Sequence, residues 1–330
     1  MRPFLYERAD SPERAVRSAG DAGVQFIAGG TTLTDLMKLD VMRPERLVDI
    51  NPLVGGRAGR IEETERGIRF GALVRMAQAE AHPAVRGRYP VIADSLKLAA
   101  SQQLRTMASL GGNVLQRTRC EYFREVSWAC NKRAPGSGCS AIGGINRQHA
   151  VLGTSDACIA SYPGDFAQAL VALDAVVETA GPQGGRRIAF ADLHRRPEGT
   201  PDVETVLMPG ELITAIEVPA GPWTRRSRYV KVRDRDSYAF ALASAAVALD
   251  LDGETVREVR IALGGIASVP WRAREAEEAL RGRRLDESSA LAAAEAALAG
   301  ARTFEHNAFK VPLAKQTLVR ALLETQAMEV

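Results

Sequence analysis

The residues with the most evident chemistry are four cysteines, all of which fall between positions 120 and 158 of the 330-residue chain. They are Cys120, Cys130, Cys139 and Cys158, separated by nine, eight and eighteen residues. Cysteines that served only as small core residues would be scattered along the sequence, so this clustering indicates a shared task. Four thiolates can ligate an iron–sulfur cluster or a zinc ion, or they can form two disulfides.

The surroundings of the cysteines bear on these alternatives. Structural zinc ligands usually come as close pairs, and no C-x-x-C pair is present. Disulfides require an oxidising compartment, and the first residues of the chain lack the apolar segment of a signal peptide. Basic side chains outnumber acidic ones around the cysteines and would offset the negative charge of a thiolate-ligated cluster. The pattern favours an iron–sulfur cluster and leaves zinc and free or paired thiols open.

A first pair of glycines, Gly29 and Gly30, is the second chemical signal. It follows a predicted strand, and a predicted helix begins after Thr31 and Thr32. Consecutive amides before a helix bind anions such as phosphate, and threonine hydroxyls add donors. The segment matches neither the G-x-G-x-x-G nor the Walker pattern, so a plain turn is the alternative.

A second glycine pair, Gly111 and Gly112, also lies among small polar residues. Thr106, Ser109 and Asn113 flank it. Two separate glycine segments of this kind suit a dinucleotide that spans two subdomains, whereas two unrelated turns are the alternative.

The composition is that of an ordinary globular protein, with 46% hydrophobic and 25% charged residues. The net charge of +3 and the absence of a basic helix argue against a nucleic-acid partner. No run of about 18 apolar residues occurs, so no membrane span is expected. The length predicts two or three packed units.

Periodicity and capping patterns predict the elements that must position these residues. A helix is expected from Ser11, its cap, and Pro12 at its first position. The other predicted elements are strands at 24–28, 46–50, 175–179, 187–190, 212–218, 228–233, 239–251 and 256–263, a hairpin at 60–74, and helices at 75–81, 90–100, 165–174, 272–281, 287–299 and 312–327. A helix is also expected to begin near Leu33, and residues 191–210, rich in Pro and Gly, are predicted to form a surface loop.

Six segments carry a family resemblance. They are residues 26–33, 108–113, 165–175, 210–219, 229–233 and 307–321. In order and spacing they resemble the FAD-binding medium subunit of molybdenum hydroxylases, the family of xanthine dehydrogenase and the carbon monoxide dehydrogenase flavoprotein. The resemblance implies an α+β fold: a two-part FAD-binding domain of the PCMH or CO-dehydrogenase-flavoprotein type, and a C-terminal domain with a three-stranded sheet and helices. The expected boundaries are 1–55, 56–220 and 223–330.

The resemblance also implies a set of FAD-contacting residues. They are Phe26, Ile27, Ala28, Gly29, Gly30, Thr31, Thr32, Leu33, Thr34, Thr106, Ser109, Gly111, Gly112, Asn113, Asp165, Ile213 and Lys231. For Asp165 the residue pattern alone predicts only a helix cap, and both roles are compatible. For Lys231, which lies on an alternating strand, a solvated side chain is the alternative to a place beside the flavin ring near Ile213.

The cysteines lie in what the resemblance identifies as an insertion at about 114–162. In flavin-only relatives the Gly-Gly-Asn segment is followed almost at once by the segment of Asp165, whereas here Asn113 and Asp165 are 52 positions apart. Such an insertion resembles the iron–sulfur branch of the family, notably the FAD subunit of periplasmic aldehyde oxidoreductases, and 4-hydroxybenzoyl-CoA reductases form another such branch. The resemblance implies a [4Fe–4S] cluster held by Cys120, Cys130, Cys139 and Cys158.

The resulting expectation is an electron-transfer subunit without catalytic residues of its own. A large partner would hold the molybdenum cofactor, a small partner would hold [2Fe–2S] centres, and FAD here would pass electrons to an external acceptor. The alternatives are a subunit of a 4-hydroxybenzoyl-CoA reductase-like or xanthine dehydrogenase-like complex, a stand-alone flavin oxidase, and a zinc-stabilised binding module. The expected compartment is the periplasm, by co-export with a signal-bearing partner, with the cytoplasm as the alternative.

Overall fold

The N-terminal part of the chain is a small parallel sheet with two helices. The computed structural model describes residues 1–330. The elements are β1 (Leu5–Arg8), α1 (Pro12–Ser18), β2 (Val24–Ile27), α2 (Leu33–Lys38) and β3 (Arg46–Asp49). β3 lies between β1 and β2 and runs parallel to both. The Ser11 hydroxyl accepts from the Arg14 amide at 3.2 Å and Pro12 opens α1, as predicted. β2 leads directly into the first glycine pair.

The middle of the chain forms a five-stranded antiparallel sheet covered by helices. Its strands are β4 (Ile61–Thr64), β5 (Gly67–Gly71), β6 (Val176–Ala180), β7 (Arg187–Ala189) and β8 (Leu212–Pro219), in the order β4-β5-β8-β6-β7. Its helices are α3 (Met76–Ala81), α4 (Pro83–Arg88), α5 (Pro90–Lys97), α6 (Gln102–Met107), α7 (Leu110–Val114), α8 (Glu121–Arg124) and α9 (Phe166–Ala172). Phe70 of β5 meets Phe166 of α9 edge to face, with ring centres 6.4 Å apart. This contact lies in a core that continues into the C-terminal sheet.

Two local features of this middle part were not predicted. The segment between Pro83 and Pro90 is a helix, α4, because each proline occupies a first helical position where its missing amide costs nothing. The second glycine pair is not a loop. Gly111 and Gly112 lie inside α7, which Ser109 caps by accepting from the Gly112 amide.

The C-terminal part is an antiparallel sheet with helices on one face. Its elements are β9 (Ser227–Val232), β10 (Ala243–Asp252), β11 (Thr255–Gly264), β12 (Trp271–Arg272), α10 (Arg274–Leu280), α11 (Glu287–Leu298) and α12 (Lys310–Gln326). Three strands are long and the fourth, β12, has two residues. The α+β class and the expected C-terminal sheet are therefore confirmed. α12 begins two residues earlier than predicted, so Pro312 lies in its first turn, where its missing amide is not needed.

The two faces of β10 bury different surfaces. Ala245, Val247 and Leu249 pack against the C-terminal helices, whereas the alternating Ala246 and Ala248 face the core of the middle part. A strand places successive side chains on opposite faces, so β10 is apolar on both. The small alanines on the second face let the helices of the middle part approach closely, and the C-terminal sheet thereby shares a core with the middle part.

The cysteine loop, defined as residues 114–162, is folded although only α8 in it is regular. Its ends are tied together, since the Tyr162 hydroxyl donates to the Val114 carbonyl at 3.0 Å and the Thr118 hydroxyl donates to the Ser161 carbonyl at 2.9 Å. Cys130 faces Cys139 in an antiparallel bridge. The loop packs on α2 through Phe123, which is fully buried against Leu36.

The predicted surface loop at 191–210 is only partly exposed. Leu193 is fully buried, and Glu204 reaches between two cations of the cysteine loop. The segment is therefore a support for the cysteine loop as well as a connection. None of the helices is long and apolar enough to cross a membrane.

Candidate cofactor-binding site

One large cavity of about 1070 Å³ dominates the molecule. It exceeds the roughly 300–1,000 Å³ of ordinary small-molecule sites, which suits a dinucleotide. All three parts of the chain and the cysteine loop contribute to its wall. The predicted FAD contacts that line it are Phe26, Ile27, Ala28, Gly29, Gly30, Thr31, Thr32, Leu33, Ser109, Gly111, Gly112, Asn113, Asp165 and Ile213.

The first glycine segment exposes unpaired amide donors to this cavity. The backbone amides from Gly29 to Leu33 donate to no protein acceptor, and Thr32 makes no side-chain cap. Successive free amides form a concave anion-binding surface of the kind that holds phosphates. The segment therefore fits the diphosphate of a dinucleotide.

The two glycines of this segment are required for different reasons. A side chain at Gly29 would place its Cβ 2.0 Å from the carbonyl oxygen of Met107. Gly30 has φ +69°, in the left-handed region that other residues adopt only with strain. Gly29 thus lets the first segment touch the end of α6, and Gly30 turns the backbone so that its amides stay free.

The second glycine segment uses its amides for packing. Gly111 donates to the Ala72 carbonyl at 2.8 Å, and Gly112 donates to the Ser109 hydroxyl at 3.3 Å. Its contribution to the cavity wall includes the side chain of Asn113. The amide oxygen of this side chain is buried and has no hydrogen-bond partner. A buried orphan acceptor calls for a donor, which a bound cofactor can supply. The two glycine segments are therefore not equivalent.

Three predicted contacts do not line the cavity. The Thr34 hydroxyl donates to the Gly30 carbonyl and the Thr106 hydroxyl to the Gln103 carbonyl, both at 2.7 Å within their own helical turns. Lys231 lies behind the wall, with its side chain 1% exposed. The solvated alternative for Lys231 is thereby excluded.

Lys231 and Asp165 form a buried ion pair. Asp165 accepts from the Lys231 ammonium at 2.8 Å and from the Tyr229 hydroxyl at 2.7 Å, and Lys231 also donates to the Leu98 carbonyl. Burial raises the pKa of the Asp165 carboxyl, and the neighbouring ammonium and hydroxyl act against this. Asp165 is the N-cap residue of α9, as predicted, but its side chain makes no capping hydrogen bond because it is used in the ion pair.

A polar network that sequence reasoning missed joins the two glycine segments. Arg75 donates to the Met107 carbonyl and to the Asn51 side chain, both at 2.8 Å. Asn51 in turn donates to the Ala28 carbonyl at 2.9 Å and to Asp49 at 2.6 Å. The position of Asn51 just after β3 was the one available signal, because polar residues at carboxyl strand ends often organise a site.

All four cysteines lie in the cysteine loop, with Cys130 and Cys158 buried and all four thiols free of disulfides. Burial raises the pKa of Cys120 to about 12 and that of Cys158 to about 11, and nearby thiols add to both shifts. The charge of Cys130 raises the pKa of both Cys120 and Cys158, and the charge of Cys139 raises the pKa of Cys158. The sulfurs therefore lie within electrostatic range of one another.

The side chains do not gather around a single point. No three His, Cys, Asp or Glu side chains are close enough to hold one metal ion. A tetrahedral zinc with sulfurs at 2.3 Å would need those sulfurs about 4 Å apart. A four-iron cluster is ligated at its corners, so its cysteines stand farther apart than the ligands of one ion.

One histidine reaches the cysteines. His149 places Nε2 3.1 Å from the Cys120 sulfur. Burial, with a further contribution from Lys310, lowers the pKa of His149 to about 4. Its ring is therefore neutral at physiological pH and carries one N–H.

Cations of the cysteine loop are paired with carboxylates outside it. Arg119 and Arg124 hold Asp35 of α2 at 3.1 and 2.8 Å, and both arginines line the cavity. Hydrogen bonding from Arg124 lowers the pKa of Asp35. The excess of cations was visible in the sequence, but their distant partners were not.

Comparison with known proteins is consistent with this geometry. Residues 2–221 match the family described as the FAD binding domain in molybdopterin dehydrogenase, and residues 228–325 match the CO dehydrogenase flavoprotein C-terminal domain. Reconstituted CO dehydrogenase from Oligotropha carboxidovorans is similar in structure, with a TM-score of 0.77 and 25% identity over 99% of each chain.

Among curated proteins, the chain is 47% identical over 330 residues to the aldehyde oxidoreductase FAD-binding subunit PaoB of Escherichia coli K12, covering 99% of both chains. It is 26% identical to the glyceraldehyde dehydrogenase medium chain of Sulfolobus acidocaldarius, over 86% of this chain and 83% of that one. Two family models cover nearly the whole chain, and the cavity they predict is present. The chain therefore belongs to the family of FAD-binding subunits of molybdenum hydroxylases.

Proposed function

We propose that this chain is the FAD- and [4Fe–4S]-carrying electron-transfer subunit of a heteromeric molybdenum hydroxylase that oxidises aldehydes. Its partners are a large subunit with the molybdenum cofactor and a small subunit with [2Fe–2S] centres. Electrons from those centres reach FAD here and leave to an external acceptor. The observation that carries the proposal is the 47% identity to an aldehyde oxidoreductase FAD-binding subunit along the whole chain, cysteine loop included.

The residues of the large cavity fit FAD. The free amides of the first glycine segment would hold the diphosphate, and the orphan amide oxygen of Asn113 would accept a hydrogen bond from the cofactor. FAD, when bound, supplies the exchange between two-electron and one-electron transfer. The chain's own task is to hold and orient it, with Asp165 and Ile213 in the wall and Lys231 behind.

The cysteine loop fits a [4Fe–4S] cluster. Cys120, Cys130, Cys139 and Cys158 would be its ligands, because they are the four free thiols of one loop and the thiols of Cys130 and Cys139 add to the raised pKa of Cys158. A cluster held there would supply one-electron chemistry close to the flavin cavity, since Arg119 and Glu121, on either side of Cys120, line that cavity. Lys132, whose charge lowers the pKa of the Cys158 thiol, would offset part of its negative charge.

Anaerobic purification of the assembled complex tests the proposal. We expect FAD together with roughly four iron atoms per copy of this chain beyond those of the small subunit. Replacing Cys130 with Ser should lower the iron content without abolishing FAD binding, and Ser127→Ala, at an exposed position of the same loop, serves as the matched control. Zinc without iron, or iron unchanged in the Cys130 variant, would contradict the ligand assignment.

The compartment remains a prediction. Export of the folded complex with a signal-bearing partner would place it in the periplasm, and cell fractionation followed by detection of this chain distinguishes this from a cytoplasmic location.

A further inference from the structure

His149 is the only side chain that hydrogen-bonds a cysteine sulfur, with Nε2 3.1 Å from Sγ of Cys120. It is 5% exposed, and its other ring nitrogen, Nδ1, is buried without a partner. An orphaned N–H is rarer in protein interiors than an orphaned acceptor, so the proton belongs on Nε2. A ligating thiolate has no proton to give, which independently requires the donor to be the imidazole.

The backbone of His149 is held in position by the start of α12 and by Asn146. Its carbonyl accepts from the Lys310 ammonium at 3.1 Å, and its amide donates to the Asn146 carbonyl at 3.0 Å. The Asn146 side chain accepts from the His306 amide at 2.9 Å. The Tyr122 ring lies against the imidazole, with centres 6.1 Å apart. The donor is thus preset by groups that lie outside the cysteine set.

We propose that His149 is a positioning residue that donates its Nε2 hydrogen to the Cys120 thiolate and so raises the reduction potential of the cluster. The inference rests on the proposed function, because it requires a cluster on Cys120. A hydrogen bond to a ligating sulfur withdraws negative charge from the iron, which favours the reduced form. No other cysteine sulfur accepts a hydrogen bond from a side chain. Cys120 is therefore the ligand through which a side chain would adjust the reduction potential.

The test compares His149→Leu with His149→Gln in the assembled, anaerobically purified complex. Redox titration followed by electron paramagnetic resonance gives the midpoint of the cluster, and iron content is measured on the same samples. We expect full iron in both variants. In His149→Leu the equilibrium constant for cluster reduction should fall about tenfold, which is about 59 mV for one electron. His149→Gln, which keeps an N–H donor, should recover most of this loss.

A matched control is His194→Gln. His194 is a half-buried histidine at the cysteine loop, but its Nε2 lies 2.9 Å from the Val114 carbonyl and contacts no sulfur. Its replacement should leave the cluster midpoint unchanged.

The possible contrary results distinguish failure of this inference from failure of the proposed function. An unchanged midpoint in His149→Leu with full iron overturns the inference and leaves the proposed function intact, whereas loss of iron from both variants identifies His149 as a ligand and overturns it too. Wild-type complex without iron in this subunit would overturn the proposed function. Should His149→Leu not fold, wild-type protein labelled with ¹⁵N-histidine still decides: the reduced cluster must show weak nitrogen hyperfine coupling, and its absence overturns the inference.

Discussion

At the scale of single residues, the ion pair of Asp165 and Lys231 differs most from what its sequence context predicts. The family resemblance implied that each residue contacts the flavin. Instead they face each other in the interior, with side chains 5% and 1% exposed. Asp165 reaches the cavity wall, and Lys231 supports it from behind. The cation therefore acts on the cofactor site through the carboxylate it fixes.

Replacement of Lys231 by Met is expected to destabilise the protein by about 3–5 kcal/mol, because it leaves the Asp165 carboxylate buried without its counter-charge. The double variant Lys231→Met with Asp165→Leu should recover most of that stability, since apolar replacement of a whole buried pair is often neutral. Urea unfolding followed by tryptophan fluorescence measures both.

FAD content separates the structural role of this pair from its role in the site. The double variant should retain less FAD than the wild type although its stability is restored, because Asp165 lines the cavity. Full FAD content in the double variant would show that the pair has only a structural role. A Lys231→Met variant as stable as the wild type would show that the pair contributes little to the free energy of unfolding.

At the scale of elements, local patterns were sufficient for most of the fold. The strands and the long helices were predicted close to their observed bounds because periodicity and caps act within a few residues. The helices that were not predicted also have physical explanations. α7 was missed because glycines are poor helix formers, and here Ser109 and contacts with Ala72 override propensity.

The residues that line the cavity could be predicted only where they form one continuous sequence motif. The first glycine segment was identified together with its reason, whereas the Arg75 bonds to Met107 and Asn51 join distant positions. Without an observed fold, no sequence pattern indicates such pairs. The ligand set of the cysteine loop was proposed from clustering and resemblance, and the partners of its cations required the structure.

Glu211, just before β8, ties that strand to the β6–β7 hairpin. It accepts from Arg186 at 2.7 Å, from the Thr179 hydroxyl at 2.6 Å and from the Met208 amide at 2.8 Å. Burial acts to raise the pKa of Glu211, but these donors outweigh it and hold the pKa at about 2. The carboxylate therefore stabilises this edge of the cavity in its charged form.

The sign of the pH dependence follows from the lowered pKa of Glu211. Its stabilisation is fully present above its unfolded pKa of about 4.3 and is lost as the pH falls towards about 2. We expect Glu211→Gln to be less stable than wild type by about 2 kcal/mol at pH 7, and this difference should shrink between pH 4.3 and 2. Thermal unfolding at pH 7, 4.5 and 3 measures it. A difference that stays constant with pH would exclude the carboxylate charge as the cause.

At the scale of the whole molecule, the cysteine loop is joined to every other part of the chain. Asp35 of the N-terminal part pairs with its Arg124, and Glu204 of the middle part pairs with its Lys132 at 2.8 Å. From the C-terminal part, Lys310 donates to the His149 carbonyl. Through these contacts the cysteine loop connects the three parts of the chain that surround the cavity. A ligand that orders the loop should therefore also affect the cofactor in the cavity.

The link through Asp35 gives the most direct route, because α2 begins where the free amides of the first glycine segment end. We expect Cys130→Ser, which removes a cluster ligand, to increase the FAD dissociation constant about five- to tenfold, a coupling of about 1–1.4 kcal/mol. In an Asp35→Asn background the same cysteine replacement should have little further effect, since the ion pairs from Arg119 and Arg124 to α2 are already lost. FAD binding to stripped protein, followed by the flavin fluorescence of all four members of this cycle, measures the coupling. Arg320→Gln, which breaks an exposed ion pair on α12, is the matched control. Additive effects of the Asp35 and Cys130 replacements would show that the cysteine loop and the flavin cavity are energetically independent.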